Sequence, residues 1–142
     1  MTSCYEDILA AYEYLTNTLN CKPENIVLYG RSLGSGPSIW LASKTALEGR
    51  SVAGIILQSP LLSAFRVAFN FRFTFPFDKF PNIDRIRDVR CPVLIIHGAM
   101  DEVVPFWHGQ ELFLSVPSVW RAEPFWVLEV SEASQSDFLS VK

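Results

Sequence analysis

Gly30-Arg31-Ser32-Leu33-Gly34-Ser35-Gly36 is the stretch on which the reading of this chain turns. It is preceded by Asn25-Ile26-Val27-Leu28-Tyr29, a short β-rich run that stops at a glycine. Ile39 to Leu47 follows with good helix formers, Pro37 in the first turn and Gly49 as a stop. Strand, tight turn and helix are therefore the expected order. At such a junction a serine can be forced into an unfavourable backbone conformation with its hydroxyl exposed, and Gly30 and Gly34 would supply the small neighbours the turn requires. The helix start also places the Leu33 N–H where negative charge would develop on an attacked carbonyl, as one donor of an oxyanion hole. A G-x-S-x-G pattern alone is weak, because turns collect both glycine and serine; the bland alternative is a glycine turn with Ser32 as a bystander.

Outward from this junction, helices and strands alternate. Ser3 to Glu6 reads as a capping box, and Tyr5, Ile8, Leu9, Tyr12, Leu15 and Leu19 recur at helical spacing through Asn20. Val52 to Leu57, Val93 to Ile96 and Phe125 to Leu128 are continuous apolar runs without polar alternation, as in strands of a parallel sheet. A helix is expected from Trp107 to about Leu114. The expectation is an α/β fold, a mostly parallel sheet of about four strands with helices covering both faces. Leu61 to Pro81 fits no single regular element: seven phenylalanines crowd into it, and Pro76 and Pro81 interrupt it. It reads as an insertion packing its own aromatics onto the domain or as an apolar wall for an acyl chain.

The composition of this 142-residue chain, 49% hydrophobic and 19% charged, is that of one packed globular domain. A net charge of -3 with scattered lysines and arginines argues against a phosphate-binding face, so no nucleic acid partner is expected. Cys4, Cys21 and Cys91 are odd in number and share no zinc or disulfide spacing, which favours reduced thiols and a cytoplasmic location. No apolar run approaches the roughly 20 residues needed to cross a bilayer, and no metal or other cofactor is implied.

A second constellation follows the third strand: His97-Gly98-Ala99-Met100-Asp101-Glu102-Val103-Val104-Pro105. H-G-x-x-D-x-x-V-P after a buried strand, downstream of a G-x-S-x-G turn, resembles the acid loop of α/β-hydrolases, with Asp101 at the position of the triad acid. Glu102 is its close rival, and a turn-capping aspartate is the bland alternative. Gln58-Ser59-Pro60, after the intervening strand, offers no acid. Ser59-Pro60, Arg66-Val67-Ala68-Phe69, Phe77-Asp78, Phe80-Pro81-Asn82-Ile83, Asp101-Glu102-Val103 and His108-Gly109 further resemble the branch that contains protein depalmitoylases. That resemblance implies a serine hydrolase that removes fatty acyl groups from protein cysteines. Ser32 would be the nucleophile, and Phe65, Phe69, Phe73 and Phe77 would line the acyl site. An acylated protein or small ester is the implied partner, with peripheral membrane association in the full-length relative.

The resemblance runs from about Tyr5 to Leu128 and then stops. A serine hydroxyl needs a base, which in this family follows the last strand, yet the sequence there reads Val130-Ser131-Glu132-Ala133-Ser134-Gln135-Ser136-Asp137. The chain has two histidines, His97 and His108, and neither stands at the base position. Strands that would precede Asn25 are also missing, so the edge beside Ile26 to Tyr29 is expected to lack a neighbour. The implied organisation is a partial α/β-hydrolase domain over 1–129 and a divergent tail over 130–142, from an incomplete gene reading, a spliced form or a truncation. Two alternatives stand beside the hydrolase: a catalytically inactive remnant serving as a binding module, and a peptidase of the same fold.

Overall fold

The computed structural model describes residues 2–63 and 81–127. Its strands are β1 (Val27–Arg31), β2 (Gly54–Gln58), β3 (Val93–Gly98) and β4 (Phe125–Val127). Its α-helices are α1 (Thr2–Glu13), α2 (Ser35–Leu47), α3 (Asn82–Arg85) and α4 (Trp107–Ser115). The four strands form one parallel sheet in the order β1-β2-β3-β4. This is the α/β architecture that the apolar runs imply.

The register fixes which side chains share a face. Tyr29 lies beside Ile56, Ile56 beside Leu94, and Ile96 beside Phe125. Alternate positions make the other row: Leu28, Ile55, Leu57, Val93 and Ile95, all buried against Ile39 and Leu41 of α2 and Leu112 of α4. Trp126 joins that row by edge-on contacts with Phe106 and Phe113, at centroid distances of 5.2 and 6.0 Å.

Helices were expected on both faces of the sheet, and among the described residues they lie on one. Sequential strand order is the physical reason. Parallel crossovers are right-handed almost without exception, so strands laid down in one direction send every connecting helix to the same side. Ile56, Leu94 and Ile96 on the opposite face are only half-buried. Val27, Tyr29 and Phe125 there keep 55%, 58% and 58% of their surface exposed.

Both ends of the first helix differ from the sequence expectation. α1 starts at Thr2, so Ser3 sits inside the helix rather than capping it, a shift within the usual uncertainty of helix ends. At its other end the α-helix yields at Tyr14 to a wider π-turn through Thr18. The Thr16 hydroxyl there donates to the Tyr12 carbonyl at 3.0 Å. Asn20 then adopts φ +53°, a left-handed conformation asparagine tolerates, and the chain turns toward β1.

Candidate active site

β1 ends at Arg31, and Ser32 follows at φ +48°, outside both the strand and the α-helix. A short 3-10 turn over Ser32–Gly34 leads into α2. Holding a non-glycine residue in the left-handed region costs about 1–3 kcal/mol, so neighbouring packing must enforce it. Gly30 shows how: a Cβ there would stand 2.7 Å from the Gly34 carbonyl oxygen and from the Ser38 hydroxyl, and 2.9 Å from the Ser35 Cα. α2 can thus press directly on the strand. Gly34 does not share this role, because among the described residues nothing lies within 4 Å of where its Cβ would be. Leu33 is 54% exposed and sits in the first turn, where backbone N–H groups lack intrahelical acceptors.

The fully buried Ser35 hydroxyl fastens the turn from behind. It donates to the Ser32 carbonyl at 2.6 Å and accepts from the Leu61 N–H at 3.3 Å and the Asn82 side-chain amide at 3.4 Å. Asn82 also donates from that amide to the Leu61 carbonyl at 2.7 Å and from its backbone to Leu62 at 2.9 Å. Leu61 and Asn82, which flank residues 64–80, are therefore tied to each other and to the elbow. Phe65, Phe69, Phe73 and Phe77, expected at the acyl site, lie outside the described residues.

Asp101 occupies the loop after β3 and organises it. One carboxylate oxygen accepts the Val103 and Val104 N–H groups at 3.0 and 2.8 Å, and the Asp101 N–H donates to Gly98 at 3.2 Å. Glu102, its rival in sequence, is exposed. Burial pushes the Asp101 carboxyl upward, but the Val104 N–H, the Ser59 hydroxyl, the Val103 N–H and nearby His97 together hold it below its ordinary value. A lowered folded value favours the folded state above the unfolded pKa of 3.8, and the benefit disappears as pH falls through the lower, folded value. Acid titrations followed by circular dichroism are therefore expected to show a loss of stability below about pH 4 that an Asp101→Asn variant lacks.

The parallel sheet brings these groups to one edge. Ser32, Ser59 and Asp101 follow the C-terminal ends of β1, β2 and β3 in turn, and neighbouring strands lie about 4.8 Å apart. Two such steps separate the Ser32 and Asp101 strands by roughly 10 Å, a span that one imidazole and its hydrogen bonds would bridge.

Neither histidine of this chain is placed to do so. His97 is wholly buried under the loop, with Nε2 2.8 Å from the Val104 carbonyl and 3.7 Å from Asp101. His108, also wholly buried, accepts the Leu62 N–H at Nδ1 over 3.2 Å, which puts its proton on Nε2. Both imidazoles serve packing and backbone satisfaction. Sequence reasoning missed Ser35, Asn82 and the left-handed backbone of Ser59; Asn82 was visible only as part of the Phe80-Pro81-Asn82-Ile83 resemblance.

Comparison with known proteins bears on the fold. No family profile matches the sequence. Over 124 residues the chain is 46% identical to alpha/beta hydrolase domain-containing protein 17C of Mus musculus, covering 87% of this chain and 37% of that protein. It thus spans little more than a third of that relative's length. Among solved structures it is similar to an alpha-beta hydrolase from Vibrio vulnificus (TM-score 0.71, 18% identity, 96% of this chain and 55% of the other). It is also similar to the esterase domain of a Rhodothermus marinus protein (TM-score 0.63, 19% identity, 87% and 55%). At such identities the structural likeness speaks for the fold alone. The chain thus has part of the α/β-hydrolase fold and is similar in sequence to one part of an alpha/beta hydrolase domain-containing protein.

Proposed function

We propose that this chain carries the nucleophile and the acid of a serine hydrolase acting on ester or thioester bonds, with Ser32 attacking the carbonyl carbon and Asp101 as the triad acid. The observation that carries the proposal is Ser32 at φ +48° between a parallel strand and a helix N-terminus, with a hydrogen-bonded carboxylate at the same sheet edge. In this reading the Leu33 N–H stabilises the oxyanion, and the acyl group passes to the Ser32 oxygen as the leaving thiol or alcohol takes a proton. Fatty acyl groups on protein cysteines are the favoured substrate, on the resemblance to the depalmitoylase branch.

The base is the missing member, since both histidines are buried and engaged. The chain alone is therefore proposed to react slowly, and a base from outside it would complete the triad. Incubation with a fluorophosphonate probe followed by peptide mass spectrometry tests the assignment. The adduct is expected on Ser32 and absent from Ser32→Ala; an adduct on another residue, or unchanged labelling of that variant, overturns it.

A further inference from the structure

His97, the penultimate residue of β3, stands directly under the acid loop and has no part in the reaction scheme. Its ring is wholly buried, and Nε2 lies 2.8 Å from the Val104 carbonyl. A carbonyl can only accept, so the ring proton sits on Nε2. Nδ1 has no hydrogen-bond partner among the described residues, and it faces α4 so closely that a Cβ on Gly109 would stand 2.3 Å from it. The surroundings thus set the tautomer, with the Nε2–H aimed at the loop. Val104 meets Asp101 through its other backbone group: its N–H donates to Oδ1 at 2.8 Å, beside the Val103 N–H on the same oxygen at 3.0 Å. Asp101 Oδ2 lies 3.7 Å from the His97 Nε2.

We propose that His97 is a positioning residue: its Nε2–H anchors the Val104 carbonyl and thereby keeps the Val104 N–H on the Asp101 carboxylate. The inference rests on the assignment of Asp101 as triad acid. Val104 is held at both of its backbone polar groups, one by β3 and one by the carboxylate. Pro105 follows it and biases Val104 toward extended backbone, so fixing its carbonyl narrows where its N–H can point. Two backbone bonds tie the near side of the loop to the sheet, from the Ala99 N–H to Val127 at 2.7 Å and from the Asp101 N–H to Gly98 at 3.2 Å. His97 ties the far side, beyond the carboxylate, back to the strand from which the loop departs. The carboxylate is thereby gripped by a loop anchored on both flanks.

His97→Gln and His97→Asn separate positioning from filling. The glutamine amide reaches about as far as Nε2 and can donate to Val104, whereas the asparagine amide stops near the place of Nδ1. Both variants and the unmodified full chain are compared by carboxyl 13C NMR titration of Asp101, amide hydrogen exchange at Val104 and thermal unfolding. In His97→Asn the Asp101 titration is expected to move upward as donors to the charged form loosen, and Val104 exchange to quicken about tenfold. His97→Gln should keep both near the parent. Each variant loses the ring's edge-on contact with Phe106, so a lower melting temperature common to both reports filling alone. Among the described residues His97 is the ionisable group that bears on Asp101, so a merely Coulombic influence would move the titration alike in both variants. Equal movement in the two, or none in either, overturns the proposal. Imidazole 15N shifts of the parent are expected to show the proton on Nε2, and a proton on Nδ1 overturns it as well. Should His97→Asn not fold, that measurement and His97→Gln against the parent decide. Labelling that survives Ser32→Ala would remove the hydrolase reading instead and leave these readouts as they are, so the two failures are distinguishable.

Discussion

Turnover of a long-chain acyl thioester by the purified chain is expected to fall about a million-fold below that of a complete Ser-His-Asp triad, since loss of the base removes that much in related machinery. Added imidazole is expected to restore part of it, in proportion to imidazole concentration, and Ser32→Ala to abolish the imidazole-dependent part. The reasoning is local. The elbow at Ser32 and the acid loop at Asp101 are built from short-range contacts: Gly30 against α2, the Ser35 hydroxyl on the Ser32 carbonyl, and the Val103 and Val104 N–H groups on Asp101. None of these requires a third group to be present. In the proposed reaction neither histidine takes the proton of the Ser32 hydroxyl, a part that a small diffusible base can partly supply. Steady-state kinetics against imidazole concentration, with His108→Ala as a second variant, checks this. A rate that is already high without imidazole and is lost in His108→Ala would show that a buried histidine acts after all.

The second large effect is structural. Gly109 opens α4 against the ring of His97, and a Cβ there would lie 2.3 Å from Nδ1 and 3.0 Å from Cγ. His97 has no room to yield: it is fully buried, packs edge-on against Phe106 at 5.7 Å, and is held at Nε2 by the Val104 carbonyl. Gly109→Ala must therefore push the ring, α4 or the acid loop out of place. The expected cost is about 3 kcal/mol, at the upper end for overpacking, which for a chain of this size lowers the melting temperature by roughly 10 °C. In a His97→Ala background the same substitution should cost much less, and the coupling from that double-mutant cycle is the decisive number. Independent, additive losses would mean the contact is not the cause.

Much of this arrangement was legible in the sequence, for physical reasons that differ from one element to the next. Asn25 to Tyr29 followed by Gly30 announced the strand and its stop because apolar β-formers ending in glycine have few other uses; the strand itself runs Val27–Arg31. Pro37 and Gly49 bracketed α2, and Gly49 indeed takes φ +71° after the helix ends. The order of strands, however, is not written in any single run. Apolar continuity in Val52 to Leu57 suggested cover on both faces, whereas the sequential β1-β2-β3-β4 order leaves Ile56 and Ile96 half-buried.

Side-chain networks were less legible still. Ser35 and Asn82 stand 47 positions apart, and Leu62 and His108 stand 46 apart. No periodicity links such pairs, since they meet only once the parallel crossovers have folded back. His108-Gly109 was recognised as a resemblance without a reason. The reason lies in the His97 ring, which leaves that position no space for a side chain. The left-handed backbone of Ser59 gave no local signal, because a residue other than glycine takes it only where the surrounding fold enforces it.

Two serines on adjacent strand tips, Ser32 and Ser59, both keep a backbone that glycine would hold more comfortably. Heat tolerance would therefore rise with glycine at either tip. Each tip is a local store of instability that the packing around it, and not the residue's own preference, keeps in place.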